Sequence, residues 1–223
     1  MKFVSYKNEQ EWQSGITSQI VHELEEEAKL SDTQTLVVPG GTTPGPIFEV
    51  LSKSKLDWSN IVVIPSDERC VPSNTPRSNY YLLKQTLLKN QAAKAQAISL
   101  YNEQWESSDF QTVNQKISSV LPFSVCVLGM GEDLHTASLF PNSPDLVTAI
   151  SLDSPYITKV SVPNQPEERI TLSLRVLQEA KHIHVIFKGL AKKQNLLASY
   201  KATDPREAPI LYFASKATFH YVD

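Results

Sequence analysis

The stretch Leu128-Gly129-Met130-Gly131-Glu132-Asp133-Leu134-His135-Thr136-Ala137-Ser138 sets a carboxylate two residues before a histidine, behind a short apolar run and a pair of glycines. Histidine titrates near neutral pH and a neighbouring carboxylate fixes its tautomer, which is what a general base requires. The same residues also suit a hydrogen-bonded structural histidine, and spacing leaves both readings open. A second stretch, Pro39-Gly40-Gly41-Thr42-Thr43-Pro44, sits between an apolar run and an expected helix. Its glycines let backbone approach a ligand, its threonines donate hydrogen bonds, and a helix start favours an anion. It reads equally as a tight turn with Thr43 capping a helix that carries Pro in its first turn. It matches neither G-x-x-x-x-G-K-[ST] nor G-x-G-x-x-G.

Two further stretches carry charge. Ser66-Asp67-Glu68-Arg69-Cys70-Val71-Pro72 follows the apolar run Ile61 to Ile64 and precedes Ser78-Asn79 at the start of an expected helix. Asp67 and Arg69 can bind a substrate hydroxyl, orient a base or fix a phosphate, or form a surface ion pair. Cys70 as a nucleophile requires a partner base that the sequence does not supply nearby. Arg169 precedes the run Ile170 to Leu174, and Lys192 opens the helix that follows Lys188-Gly189. Both supply positive charge for a phosphate if they reach one crevice, and are solvated surface cations otherwise. His22, His182, His184 and His220 have no accompanying motif and read as structural or exposed.

Alternating elements must position these residues. Trp12, Ile16, Ile20, Leu24 and Ala28 recur every four residues with Glu25, Glu26 and Glu27 between them, the pattern of an amphipathic helix. Strands are expected at Leu36 to Val38, Ile61 to Ile64, Ile98 to Leu100, Val125 to Leu128, Ile157 to Val162, Ile170 to Leu174 and His182 to Phe187. Helices are expected at about 46–52, 79–88, 110–121 and 190–200. This alternation predicts an α/β fold, a single domain over residues 1–223 with a largely parallel β-sheet flanked by helices. In such sheets the ligand crevice lies beyond the carboxyl ends of the strands, where the four stretches fall.

Composition narrows the function. The 223 residues carry a formal net charge of −3, so no excess of cations exists to neutralise a nucleic-acid backbone or an anionic membrane. An anionic ligand must be held by a local cluster. The apolar runs are too short to span a bilayer and the N-terminus turns polar too soon for a secretory signal, so the expected location is cytoplasmic. Cys70 and Cys126 are the only cysteines and lack metal-ligand spacing, so neither a disulfide framework nor a zinc site is expected, and Cys126 reads as core.

Taken together, Gly40-Gly41-Thr42-Thr43-Pro44, the run from Ser66 to Asn79, His135 to Pro141, Arg169 to Ser173 and Gly189 to Lys192 resemble the 6-phosphogluconolactonase family over nearly the whole chain. The resemblance implies a Rossmann-like α/β fold related to glucosamine-6-phosphate deaminase. It implies hydrolysis of a sugar-phosphate lactone in the oxidative pentose phosphate pathway, with no metal and no organic cofactor. By that resemblance Gly40, Gly41, Thr42, Thr43, Arg169 and Lys192 would hold the 6-phosphate. His135 would deprotonate water, Asp67 and Arg69 would line the reacting centre, and Asp133 and Asn79 would support them. The expected partner is the small-molecule lactone, with no nucleic acid and no membrane, and the chain a monomer or weak homodimer.

The family usually has Gly immediately before the histidine, where this chain has Leu134; a positive φ there would strain a leucine. The deaminase relatives share the Gly-Gly turn but carry Asp-Glu-Tyr at Asp67-Glu68-Arg69 and an acid at the position of Phe140. A non-catalytic sugar-phosphate binder and a Cys70-dependent hydrolase are the remaining alternatives.

Overall fold

A computed structural model describes residues 1–101, 107–162, 165–202 and 204–223. Seven parallel strands form the main sheet in the order β1 (Lys2–Ser5), β10 (Thr218–Val222), β9 (His182–Lys188), β6 (Val125–Gly129), β2 (Gln34–Val38), β3 (Ile61–Pro65) and β5 (Gln96–Ala97). The inner strands are nearly continuous apolar runs because both faces are covered. Leu36 and Val38 of β2, with Val125 and Val127 of β6, face one core with Trp12, Ile16, Ile20 and Leu24 of α1 (Glu9–Ala28). Val37, Cys126 and Leu128 point the other way, into a larger core with Val113 and Ile117 of α4 (Ser107–Ser118). Each fully buried aliphatic side chain contributes ~1.5–3 kcal/mol. The expected four-residue repeat of α1 is thus, from Trp12 to Leu24, the stripe that docks on the sheet, whereas Ala28 is exposed, and Asn8 caps the helix start by accepting from the Glu11 N–H at 2.9 Å.

The chain runs outward from β2 to β3 and β5, then returns to lay β6 on the other side of β2. The loops after β2 and β6 therefore leave in opposite directions and open a crevice between them, the switch point where open α/β sheets bind ligands.

The structure corrects three expectations. Ile157 to Val162 and Ile170 to Leu174 do not join the parallel sheet. They form β7 (Ile157–Val160) and β8 (Arg169–Leu172) of a separate antiparallel sheet, whose third strand is β4 (Asp67–Arg69), expected as a turn. β8 supplies Ile170 and Leu172 to the larger core, which makes it apolar without making it parallel. The strand expected at Ile98 to Leu100 pairs instead at Gln96–Ala97, and Leu100 is buried by packing rather than by the ladder. The terminal strands β1 and β10 were absent from the expected set. The remaining α-helices among the described residues are α2 (Gly45–Leu51), α3 (Asn79–Thr86), α5 (Leu146–Ile150), α6 (Leu174–Gln178) and α7 (Leu190–Ala202).

Candidate active site

A cavity of about 320 Å³ lies over the carboxyl ends of β2, β3, β6 and β9. Gly40, Gly41, Thr42, Thr43, Asp67, Arg69, Asn79, His135, Arg169 and Lys192 all line it. Asp133 stands one layer out, behind His135. Pro39, Ser66, Gly131, Ala137 and Lys188 are among the other residues of the wall.

The loop after β2 turns through Gly41 at φ +87°, a conformation open to glycine and strained for other residues. The backbone N–H groups of Gly41, Thr42 and Thr43 have no protein acceptor among the described residues, and they border the cavity. Unpaired N–H groups of this kind form an anion cradle. Lys192, in the first turn of α7, reaches across to donate to the Met130 carbonyl at 3.0 Å.

Asp67 and Arg169 are both buried and cross the antiparallel sheet. Asp67 Oδ2 accepts from Ser138 Oγ at 2.5 Å and lies 3.5 Å from Arg169 Nη1. Its Oδ1 accepts from Asn79 Nδ2 at 3.2 Å and Ser66 Oγ at 3.3 Å. Arg169 Nη2 also donates to Gln165. Burial lowers the Arg169 pKa and the Asp67 charge opposes that shift; a guanidinium remains charged at neutral pH in either case. Opposite it in register, Arg69 donates from Nη1 to the Arg77 carbonyl at 2.7 Å.

Glu68 explains how the polar strand β4 is held. Its carboxylate accepts from the N–H groups of Asn79 at 2.7 Å and Tyr80 at 2.8 Å and from Ser78 Oγ at 2.9 Å, so it caps the start of α3 from a distant strand. Burial nonetheless pushes its pKa up, against those donors.

His135 Nδ1 meets Asp133 Oδ1 at 2.5 Å. Burial works to raise the Asp133 carboxyl, but the hydrogen bond and charge of His135 outweigh it and hold the group below the usual carboxylate range. Gly131 allows this approach, since a Cβ there would collide with both His135 Nδ1 and Asp133 Oδ1. Leu134 between them has φ +63°, the left-handed geometry that glycine would take without strain, and its side chain is buried in the larger core. With Nδ1 engaged, Nε2 is the ring nitrogen left to exchange a proton, and His135 lines the cavity.

Some participants escaped the sequence reading. Ser138 and Ser66, which saturate Asp67, carry no motif of their own. Lys188 lines the cavity and pairs with Glu9 at 2.8 Å; a lysine closing an apolar strand was the available signal. Cys70 does not line the cavity, and burial pushes its thiol up to about 11, so little thiolate exists at neutral pH.

A crevice at the switch point of a parallel sheet, lined by a histidine, by cationic side chains and by a loop with unpaired backbone N–H groups, places the chain in the class of α/β enzymes for small molecules. The family profile described as glucosamine-6-phosphate isomerases/6-phosphogluconolactonase matches residues 7–221, and the chain belongs to that family. It is 36% identical to a 6-phosphogluconolactonase of Pseudomonas aeruginosa over 214 residues, 93% of this chain and 89% of that one. The crystal structure of a 6-phosphogluconolactonase from Shewanella baltica superposes with a TM-score of 0.93 at 27% identity, covering 100% of this chain and 98% of that one. A monomeric glucosamine-6-phosphate deaminase shares the fold with a TM-score of 0.79 at 16% identity, covering 100% and 97%.

Proposed function

We propose that this chain hydrolyses 6-phosphoglucono-1,5-lactone to 6-phosphogluconate in the oxidative pentose phosphate pathway, with His135 as general base. The observation that carries the reading is the Asp133–His135 pair, whose histidine lines a cavity that is also lined by Arg169, Lys192 and the Gly41 loop with its unpaired N–H groups. Family membership and relatives of that activity support it.

Gly40, Gly41, Thr42, Thr43, Arg169 and Lys192 hold the 6-phosphate and place the lactone carbonyl near His135. His135 Nε2 takes a proton from water as the oxygen adds to the carbonyl carbon, and Asp133 stabilises the imidazolium. Arg69, on the cavity wall, or a backbone N–H donates to the tetrahedral oxyanion. The intermediate collapses by breaking the bond to the ring oxygen, which recovers the proton from His135. One base and good positioning suffice because a δ-lactone is already reactive. Asp67 has donors on both oxygens, so its part is to hold Arg169 and the Ser138 turn in place.

The test follows opening of freshly prepared lactone against its spontaneous rate, in chelated buffer near neutral pH, for the wild type and His135→Ala. Acceleration by the wild type that falls roughly a hundredfold or more in the variant is expected. No acceleration by the wild type sinks the activity, and equal acceleration by the variant sinks the role of His135.

A further inference from the structure

Phe140 is only 6% exposed, yet it belongs to neither apolar core. What it touches is the site. Its ring centroid lies 4.0 Å from that of His135 with the planes 27° apart, and 5.4 Å from the guanidinium carbon of Arg169. A buried aromatic ring in a chain of this size ordinarily fills a core, so one committed to an imidazole and a guanidinium calls for a reason.

The reason lies in how few restraints His135 has. Its ring is hydrogen-bonded at Nδ1 alone, to a carboxylate that is itself 47% exposed. One hydrogen bond fixes one atom and leaves the plane of the ring free to turn about it. A general base must present its other nitrogen along the line of proton transfer, and misplacement by about 1 Å costs roughly a hundredfold in rate. A stacked aromatic pair contributes ~0.5–1.5 kcal/mol beyond its buried area, a bias of about twofold to tenfold toward one plane. The contact also works in either charge state, since a ring face attracts an imidazolium as it forms.

We propose that Phe140 is a positioning residue: its ring face holds the His135 imidazole in the plane from which Nε2 reaches the attacking water. The inference rests on the reading of His135 as the base and adds the element that aims it. The Phe140 side chain has no hydrogen-bonding group and does not line the cavity, so its replacement alters the geometry of the base without removing a contact to the phosphate.

The experiment compares wild type, Phe140→Leu, Phe140→Met and Phe140→Tyr for kcat and KM in lactone hydrolysis and for Kd of 6-phosphogluconate, with His135→Ala as reference. Leu and Met should lower kcat about threefold to tenfold, leave KM and the product Kd within about twofold, and Tyr should restore kcat to within about twofold. Wild-type kcat in the Leu and Met variants, or kcat and product affinity falling together in both, overturns the inference. A purely structural role predicts that joint fall, because a disordered site loses binding and turnover alike. If the wild type fails to turn over, or His135→Ala still does, the lactonase or base reading fails first and carries this one with it. Turnover lost in His135→Ala but intact in Phe140→Leu overturns the positioning role alone.

Discussion

Ser138 Oγ donates to Asp67 Oδ2 at 2.5 Å, and so ties the turn that follows His135 to the antiparallel strand that faces Arg169. Asp67 thereby joins the His135 loop, the Arg169 guanidinium and the start of α3 through one buried carboxylate. Removing it leaves Arg169 as a buried charge without its partner, which costs about 3–5 kcal/mol. Asp67→Ala should therefore lower unfolding free energy by about that amount, read as a shift in the urea midpoint at unchanged slope. The double variant with Arg169→Met should lose less than the sum of the single changes, because the stranded charge goes too. Additive losses would show that the two side chains are independent.

Lys192 tests the proposed phosphate site separately from the chemistry. Among the described residues its ammonium donates to the Met130 carbonyl alone, which leaves donors for a ligand. A charge-assisted hydrogen bond contributes ~1.5–3 kcal/mol, so Lys192→Ala should raise KM for the phosphorylated lactone roughly tenfold to a hundredfold. Hydrolysis of unphosphorylated glucono-1,5-lactone, which offers no phosphate to hold, should be unchanged. An equal loss on both substrates would move Lys192 out of phosphate binding.

Leu134 has opposing terms that magnitudes can rank. Its φ of +63° is strained, while its side chain is buried in the larger core and its carbonyl accepts from the Ile210 N–H at 3.0 Å. A left-handed non-glycine residue costs ~1–2 kcal/mol, and truncating a buried leucine costs ~2–5 kcal/mol. Packing wins, so Leu134→Gly should be less stable than wild type by ~1–3 kcal/mol. Leu134→Ala loses the packing and keeps the strain, so it should be less stable still. Chemical denaturation of the three proteins gives the order, and alanine above glycine would mean that the backbone relaxes away from positive φ.

The fold and site were legible to different depths, for physical reasons. Buried parallel strands announce themselves as apolar runs, so β2, β3, β6 and β9 and the turns after them could be read, and with them Gly41, His135 and Lys192. The strand Asp67–Arg69 could not, because its order comes from partners distant in sequence: Arg169 across the ladder, and Asn79 and Tyr80, whose N–H groups bind Glu68. Ile170 to Leu172 read as apolar but not as antiparallel, since burial sets composition and pairing direction does not. Phe140 sits in the family motif, yet only geometry shows that its ring stacks on His135 and belongs to neither core.

The histidines away from the site set the acid limit of the fold. Tyr6 Oη meets His220 Nδ1 at 2.8 Å, His220 Nε2 meets His184 Nδ1 at 3.0 Å, and His184 Nε2 meets Glu23 Oε2 at 2.6 Å, a buried chain linking β10 and β9 to α1. Burial, with the neighbouring His184 adding to it, lowers the His220 pKa to about 3. Its ordinary value is near 6.5, so below that pH the unfolded chain takes up a proton that the folded chain refuses. The stability due to neutral His220 is complete above pH ~6.5 and is lost as pH falls from there toward the folded pKa, by about 1.4 kcal/mol per pH unit. Glu23 adds a further loss at lower pH. Burial works to raise its pKa, but its bond to His184 outweighs that and holds it below the usual range, so it favours the fold until it is protonated. Between pH 6 and 5 the slope should therefore carry the His220 proton, and His220→Gln should flatten it by close to one proton. Urea unfolding of both proteins at half-unit steps measures this difference, and an unchanged slope would mean that His220 is not held neutral in the fold.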